Sequence, residues 1–235
     1  MVRLAKLIEL EWRKLEQKKV IGEVIVYWVI IMFLPTFFLK VIFADMAFVD
    51  FSESYASALE LMLPIQMGLL LFGASMINHV FIEEYKNKTM SLSFGYPISR
   101  KKLVMAKVCF IFLAVFLCTL VSFVLSGITT YVIDQIFDVI HGQPTLEDFM
   151  AFTVRSIVHS VVVALISFVP LFLFGIWKRA VIPTVICAVF LAQFPNFTGL
   201  LHITLNTDML YAVLSFIGLV SVYLSVAKVN QVGDI

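Results

Sequence analysis

The sequence predicts an all-α membrane protein with six transmembrane helices, an amphipathic interfacial helix at the N-terminus and a helical loop between the second and third spans. Three observations lead to this class. Of the 235 residues, 61% are hydrophobic and 14% charged, and the mean hydropathy is +1.01; a water-soluble domain of this size does not carry that balance on its surface. Apolar stretches long enough to cross a bilayer recur along the chain. Lys and Arg gather in alternate connections between those stretches, the asymmetry that orients spans. The net charge of +1 gives nucleic-acid binding no support.

The leader, residues 1–19, comes first. Leu4, Leu7, Ile8, Trp12 and Leu15 fall within one helical stripe, and Lys6, Glu9, Arg13 and Gln17 lie opposite. Such a helix lies in the membrane interface, with Trp12 at headgroup level and its basic face toward anionic lipid or a cytoplasmic partner. It is charged throughout, and no small-residue cleavage site follows the first apolar run, so it reads as a retained segment. Residues 20–235 form the membrane domain. Its six apolar stretches are Val20–Phe43, Leu59–Ile82, Leu103–Ile133, Phe152–Trp177, Ala180–Phe194 and Met209–Ala227. The third is long enough to tilt or protrude. The fifth is short and runs into Pro195-Asn196-Phe197-Thr198-Gly199, where a re-entrant or broken element is expected before the sixth.

Basic residues occupy the leader, then Lys86, Lys88, Arg100, Lys101, Lys102 and Lys107, then Lys178 and Arg179, and finally Lys228. The other connections hold Asp45, Asp50 and Glu53, then Asp134, Asp138, Glu147 and Asp148, then Asp208. The positive-inside rule therefore places both termini in the cytoplasm. Cys109, Cys118 and Cys187 sit in apolar runs without any metal or redox spacing, and read as packing residues.

Ionisable groups inside the spans are few. Glu23, one turn into the first span, is within reach of Lys19 and reads equally as an anchor or as a functional group. Arg155 and His159 are one helical turn apart near the outer end of the fourth span, where Asp134 or Asp138 from the third could neutralise Arg155 as a structural ion pair. His79, beside Asn78, reads as a satisfied polar residue rather than a proton carrier. The 23 Phe residues suit ordinary core and lipid contact, and equally a cavity for an amphiphilic cargo.

The most informative segment is the loop 83–102. It contains Glu83-Glu84-Tyr85-Lys86-Asn87-Lys88-Thr89-Met90-Ser91-Leu92 and, further on, Gly95-Tyr96-Pro97-Ile98-Ser99-Arg100. A helix of two or three turns fits between Tyr85 and Phe94, stopped by Gly95 and Pro97. This loop resembles the coupling segment of ABC-2 type permeases, the membrane subunits of ATP-binding-cassette exporters. The family pattern is a Glu, a Thr five residues on, then Pro, Ser and Arg, then a Lys in the next span. Here these read Glu84, Thr89, Pro97, Ser99, Arg100 and Lys107, and the usual Gly before the Thr is Lys88. That variant is similar to the bacitracin-resistance and bacteriocin-immunity permeases of Gram-positive bacteria.

The resemblance implies a bacterial plasma-membrane permease subunit that moves an amphiphilic substrate outward, an antimicrobial or other membrane-active peptide first among candidates. It implies two permeases, identical or sister, each resting its loop on a cytoplasmic ABC ATPase through Glu83, Glu84, Lys88, Thr89, Leu92, Pro97, Ser99, Arg100 and Lys107. ATP and Mg would be bound by that partner. This sequence has no GxxxxGK[ST] loop, so no cofactor and no catalytic or metal-binding residue is assigned to it. A peptide-sensing subunit without net transport would carry the same loop. A glutamate-type intramembrane protease is the rival from another class, since Glu83-Glu84 with Lys88 approximates EExxxR and Phe137 to His141 matches FxxxH. The charge asymmetry puts those two motifs on opposite sides of a hydrocarbon core about 30 Å thick, too far apart to share a water or metal.

Overall fold

The computed structural model describes residues 4–39, 55–89, 99–137, 140, 143–200 and 206–229. All regular structure among them is helical. In chain order the elements are α1 (Leu4–Lys14), α2 (Gln17–Phe37), α3 (Tyr55–Gln66), α4 (Leu70–Ile77), α5 (Glu83–Lys86), α6 (Arg100–Phe137), α7 (Leu146–Ile166), α8 (Val181–Leu200) and α9 (Thr207–Ala227). Among the described residues, five helical stretches are long and apolar enough to cross a membrane: Gln17–Phe37, Ala58–Lys86, Arg100–Phe137, Leu146–Ile166 and Thr207–Ala227. Val181–Pro195 is a shorter apolar helix.

The second span is the axis of the bundle. Of its apolar window 67% is buried, against 22% for the first span. Met67, Leu69, Phe72, Ala74, Met76, Ile77 and Phe81 are all shielded by neighbouring helices. The first span instead turns Ile25, Val26, Val29, Ile30 and Phe33 outward, as a helix wetted by lipid does. It is fastened to α6 by the Trp28 indole, which donates to the Cys118 carbonyl at 3.0 Å.

Two spans are interrupted, with identifiable causes. Pro64 removes an amide from α3, and the chain tightens into a 3₁₀ turn at Met67–Leu69 before α4 resumes. In the fourth span the expected single stretch Phe152–Trp177 divides, because α7 ends at Ile166 and a π-helical segment Leu171–Trp177 follows Pro170. The Pro170 carbonyl accepts from both Phe174 and Gly175 at 3.0 and 3.2 Å. The Phe172 amide finds Ser221 Oγ of α9 at 3.0 Å, so a backbone donor freed in an apolar interior is satisfied by a neighbouring helix.

The helices approach closely at small residues. A Cβ on Gly218 of α9 would lie 2.0 Å from the Leu165 carbonyl oxygen, and one on Gly73 of α4 would lie 2.5 Å from Ser167 Cβ. Where side-chain burial gains little against lipid, such contacts supply the packing.

Other boundaries differ from expectation. The third span, α6, extends to Arg100 and Phe137 at its two ends. The break expected at Pro195 is absent: α8 runs through it to Leu200. A proline costs a helix one amide and its ring crowds the preceding turn, both tolerated in spans whose neighbours re-satisfy the backbone. The expected re-entrant element beyond Leu200 falls largely outside the described residues. At the end opposite the basic loops, Asp134 accepts from the Tyr55 hydroxyl at 2.5 Å and from the Ile140 amide at 2.7 Å. Burial, and then the hydrogen bond to Asp134, push the Tyr55 phenol well above its ordinary value.

Candidate functional site

The site forms at the end of the bundle that carries the Lys/Arg-rich connections. Lys107 lies two turns into α6, and its side chain is 0% exposed. Its ammonium has three donors, and three acceptors meet them: Glu11 Oε2 at 2.7 Å, Glu84 Oε1 at 2.9 Å and the Val80 carbonyl at 3.0 Å. The Phe81 ring lies beneath it, 5.8 Å to the centroid. Val80 belongs to a π-helical turn, Asn78–Ile82, which offsets the i→i−4 ladder and presents this carbonyl sideways. Lys14 closes the set, 3.2 Å from Glu11 Oε1 and 3.5 Å from Glu84 Oε1. Two carboxylates and two ammonium groups thus balance to no net charge, the condition under which buried charge is tolerated. Burial works against the charged form of Lys14, but Glu11 and then Glu84 outweigh it and raise its pKa above the ordinary value.

The cluster joins three elements that are distant in sequence: α1 through Glu11 and Lys14, the end of the second span through Glu84, and the start of α6 through Lys107. The second span stops at Lys86, just beyond Glu84. The Asn87 amide bonds to the Glu83 carbonyl at 2.9 Å, the Lys88 amide to Tyr85 at 3.2 Å, and the Thr89 hydroxyl donates to the Glu84 carbonyl at 3.2 Å. These bonds occupy carbonyls that a helix end would leave open. Lys88 turns the chain with φ of 58°, in the left-handed region where glycine fits at least cost.

Tyr85 and Lys86 therefore finish the second span rather than begin a separate loop helix, which corrects the expected helix start at Tyr85. Of the loop residues singled out in the sequence, Leu92 and Pro97 lie outside the described residues. On the far side of the loop, the Ser99 carbonyl accepts from Lys102 and Leu103 at 2.9 and 3.2 Å, so Ser99 and Arg100 open α6. The other basic connection packs alongside: the Arg179 guanidinium stands 4.3 Å from the centroid of the Tyr85 ring, at a second left-handed residue with φ of 51°.

Glu11 was missed in the sequence, although a signal exists. It lies on the apolar stripe of the leader, four residues from Leu7 and from Leu15, where an acid has no place unless it meets a buried cation. A cleft of about 440 Å³ opens beside the cluster, lined among others by Glu16, Lys19, His79, Glu83 and Thr89.

The second group of candidates is arranged otherwise. Arg155 Nη1 is 3.7 Å from Glu60 Oε1 of the second span, and both side chains are exposed. Asp134 is engaged by Tyr55 and Ile140, while Asp138 lies outside the described residues. Among the described residues, Glu60, which was not singled out, is the acid facing Arg155. His159 is buried between the rings of Phe123 and Tyr211, with centroids at 5.7 and 5.5 Å.

Apolar helices of span length, a deeply shielded second span and buried charges closed on one another define a multi-pass helical membrane protein. Residues 7–195 match the family described as "ABC-2 family transporter protein", so the chain belongs to the ABC-2 transporter family. Among curated proteins, the "Uncharacterized protein YcbO" of Bacillus subtilis (strain 168) is 35% identical over 130 residues, 55% of this chain and 57% of that relative. The match thus spans little more than half the length of that relative. No solved structure matches the chain.

Proposed function

We propose that this chain is the permease subunit of an ABC exporter, inserted with six spans and both termini in the cytoplasm. A separate ATPase would drive it, and a second permease, identical or sister, would complete the path. Family membership supports the class, and the observation that carries the coupling role is the buried contact of Glu84 with Lys107. This pair makes the two ends of the loop 83–102 one rigid base, with Lys86 to Thr89 exposed above it. A push from a closing ATPase dimer on that surface would reach the second and third spans together, as rigid-body alternation requires. The fifth of the six spans is α8: it leaves the turn at Arg179 on the basic end, and α9 then packs parallel to the fourth span, with Tyr211 beside His159 and Ser221 beside Phe172, so the chain has to cross back between them. The Phe-rich interior suits an amphiphilic cargo, a membrane-active peptide being the favoured class.

Co-expression with candidate ATPases and reconstitution of the purified complex in vesicles test this reading. Labelled peptide moves only when ATP and the ATPase are both present, and Glu84→Ala with Arg100→Ala lowers cargo-stimulated hydrolysis at least tenfold. Undiminished stimulation in that variant would remove the loop from the coupling contact. A stimulated ATPase with no peptide movement would mark a sensor instead.

A further inference from the structure

His79 lies on the π-helical turn Asn78–Ile82, and its side chain is 9% exposed. Its Nε2 faces Glu23 Oε1 of the first span at 3.4 Å, and its Nδ1 faces Glu83 Oε1 at 3.0 Å. Both carboxylates are held in place: the Ser75 hydroxyl donates to Glu23 Oε2 at 2.7 Å, and the Asn78 side chain donates through Nδ2 to Glu83 Oε1 at 3.0 Å. A neutral imidazole has one N–H, so between two carboxylates it bonds one and turns a lone pair on the other; an imidazolium donates to both. In a half-buried setting that mismatch costs more than it would in water.

We propose that His79, with Glu23 and Glu83, is a proton-binding site that ties the first span to the second when the ring carries two protons and releases that tie when it carries one. Imidazole changes charge within the physiological range, and the cleft beside Glu16 and Lys19 gives the ring access to solvent protons, since His79 and Glu83 line it. The surrounding charges are compatible. From the first span Glu23 faces the ring, and Lys19 and, ahead of it, Glu16 line the same cleft; from its own span Glu83 faces it. Lys14 and Lys107 are taken up by Glu11 and Glu84. The other elements against this turn, Leu171–Trp177 and α8, carry no charged residue. The π-helical turn, a frequent mark of functional positions in helices, sets His79 at the step from α4 to α5. The site is independent of the exporter reading and would stand if transport failed.

The test is nitrogen NMR on the full chain in lipid nanodiscs, with histidine rings labelled and the His79 signal assigned by its loss in His79→Gln. Two-bond nitrogen–proton spectra separate the imidazolium from the neutral tautomers. At about pH 6 the wild type should show the imidazolium at His79, and its signal should weaken in Glu23→Gln, where a neutral amide replaces one of the two carboxylates facing the ring. A neutral tautomer at that pH, or a titration unmoved by both Glu23→Gln and Glu83→Gln, overturns the proposal. Spin labels at Lys18 and Lys86 report the tie itself, and need no His79 variant. Their separation should lengthen as pH rises from about 6 to about 8 in the wild type and stay constant in Glu23→Gln, which keeps the histidine; a wild-type distance constant over that range overturns it.

Discussion

Lys107 shows how one side chain can be legible as a motif and opaque as a structure. Its spacing from Glu84 is readable along the chain, but its burial and its bond to Glu11 follow from how α1 folds back on α6. Removing one partner from a buried ionic set leaves the rest uncompensated, at a cost of about 3–5 kcal/mol. Lys107→Met should therefore lower the thermal unfolding midpoint of the purified protein sharply, and adding Glu84→Gln should restore part of the loss. The double-mutant cycle measures that coupling, and additive effects would deny it. Lys88 offers the opposite sign. Its left-handed backbone costs a non-glycine residue about 1 kcal/mol, so Lys88→Gly should raise stability by about that amount and Lys88→Val should lower it. The glycine that the resembled loop pattern places at this position would fit φ of 58° at least cost.

At the scale of elements, hydropathy located the second, third and last of the expected spans to within a few residues, because lipid leaves a continuous apolar signature. It did not show where spans are interrupted. The 3₁₀ turn after Pro64 and the π-helical segment after Pro170 depend on whether a neighbour accepts or supplies the displaced hydrogen bond, and Pro195 stays within a helix. Nor did single-chain spacing reveal that Asp134 would meet Tyr55 while Arg155 would meet Glu60. Close approach between elements is testable at Gly218. A methyl group there meets the Leu165 backbone oxygen, which cannot swing aside, so Gly218→Ala should cost about 1–3 kcal/mol. Gly68→Ala, where the added Cβ would meet only Ile31 Cδ1 at 3.9 Å, should be close to neutral in the same unfolding measurement.

For the whole molecule, the two ends are fastened by groups that hold protons more tightly folded than unfolded: Lys14 at the basic end and Tyr55 at the other. A raised folded pKa means that the stabilisation is complete below the unfolded value and is lost as pH climbs past the folded one. The ordinary values are 10.5 for Lys14 and 10.0 for Tyr55. The fold should hold to about pH 10 and then weaken. The unfolding midpoint should fall less steeply above that pH in a Lys14→Met, Tyr55→Phe double variant; parallel slopes would show that neither group contributes.

The bond between Glu11 and Lys107 spans 96 residues, and that distance is also a delay. At a synthesis rate of about 5–20 residues per second, the leader waits on the order of 5–20 s before its counter-charge emerges from the ribosome. During that interval the first and second spans are already made, and the acid on the apolar face of the leader has nothing to close on except Lys14, its neighbour one turn away. The N-terminal helix thus settles only after the start of α6 is made, although it is itself made much earlier. Nascent chains arrested before Lys107 should leave it open to protease, and chains arrested well after it should not.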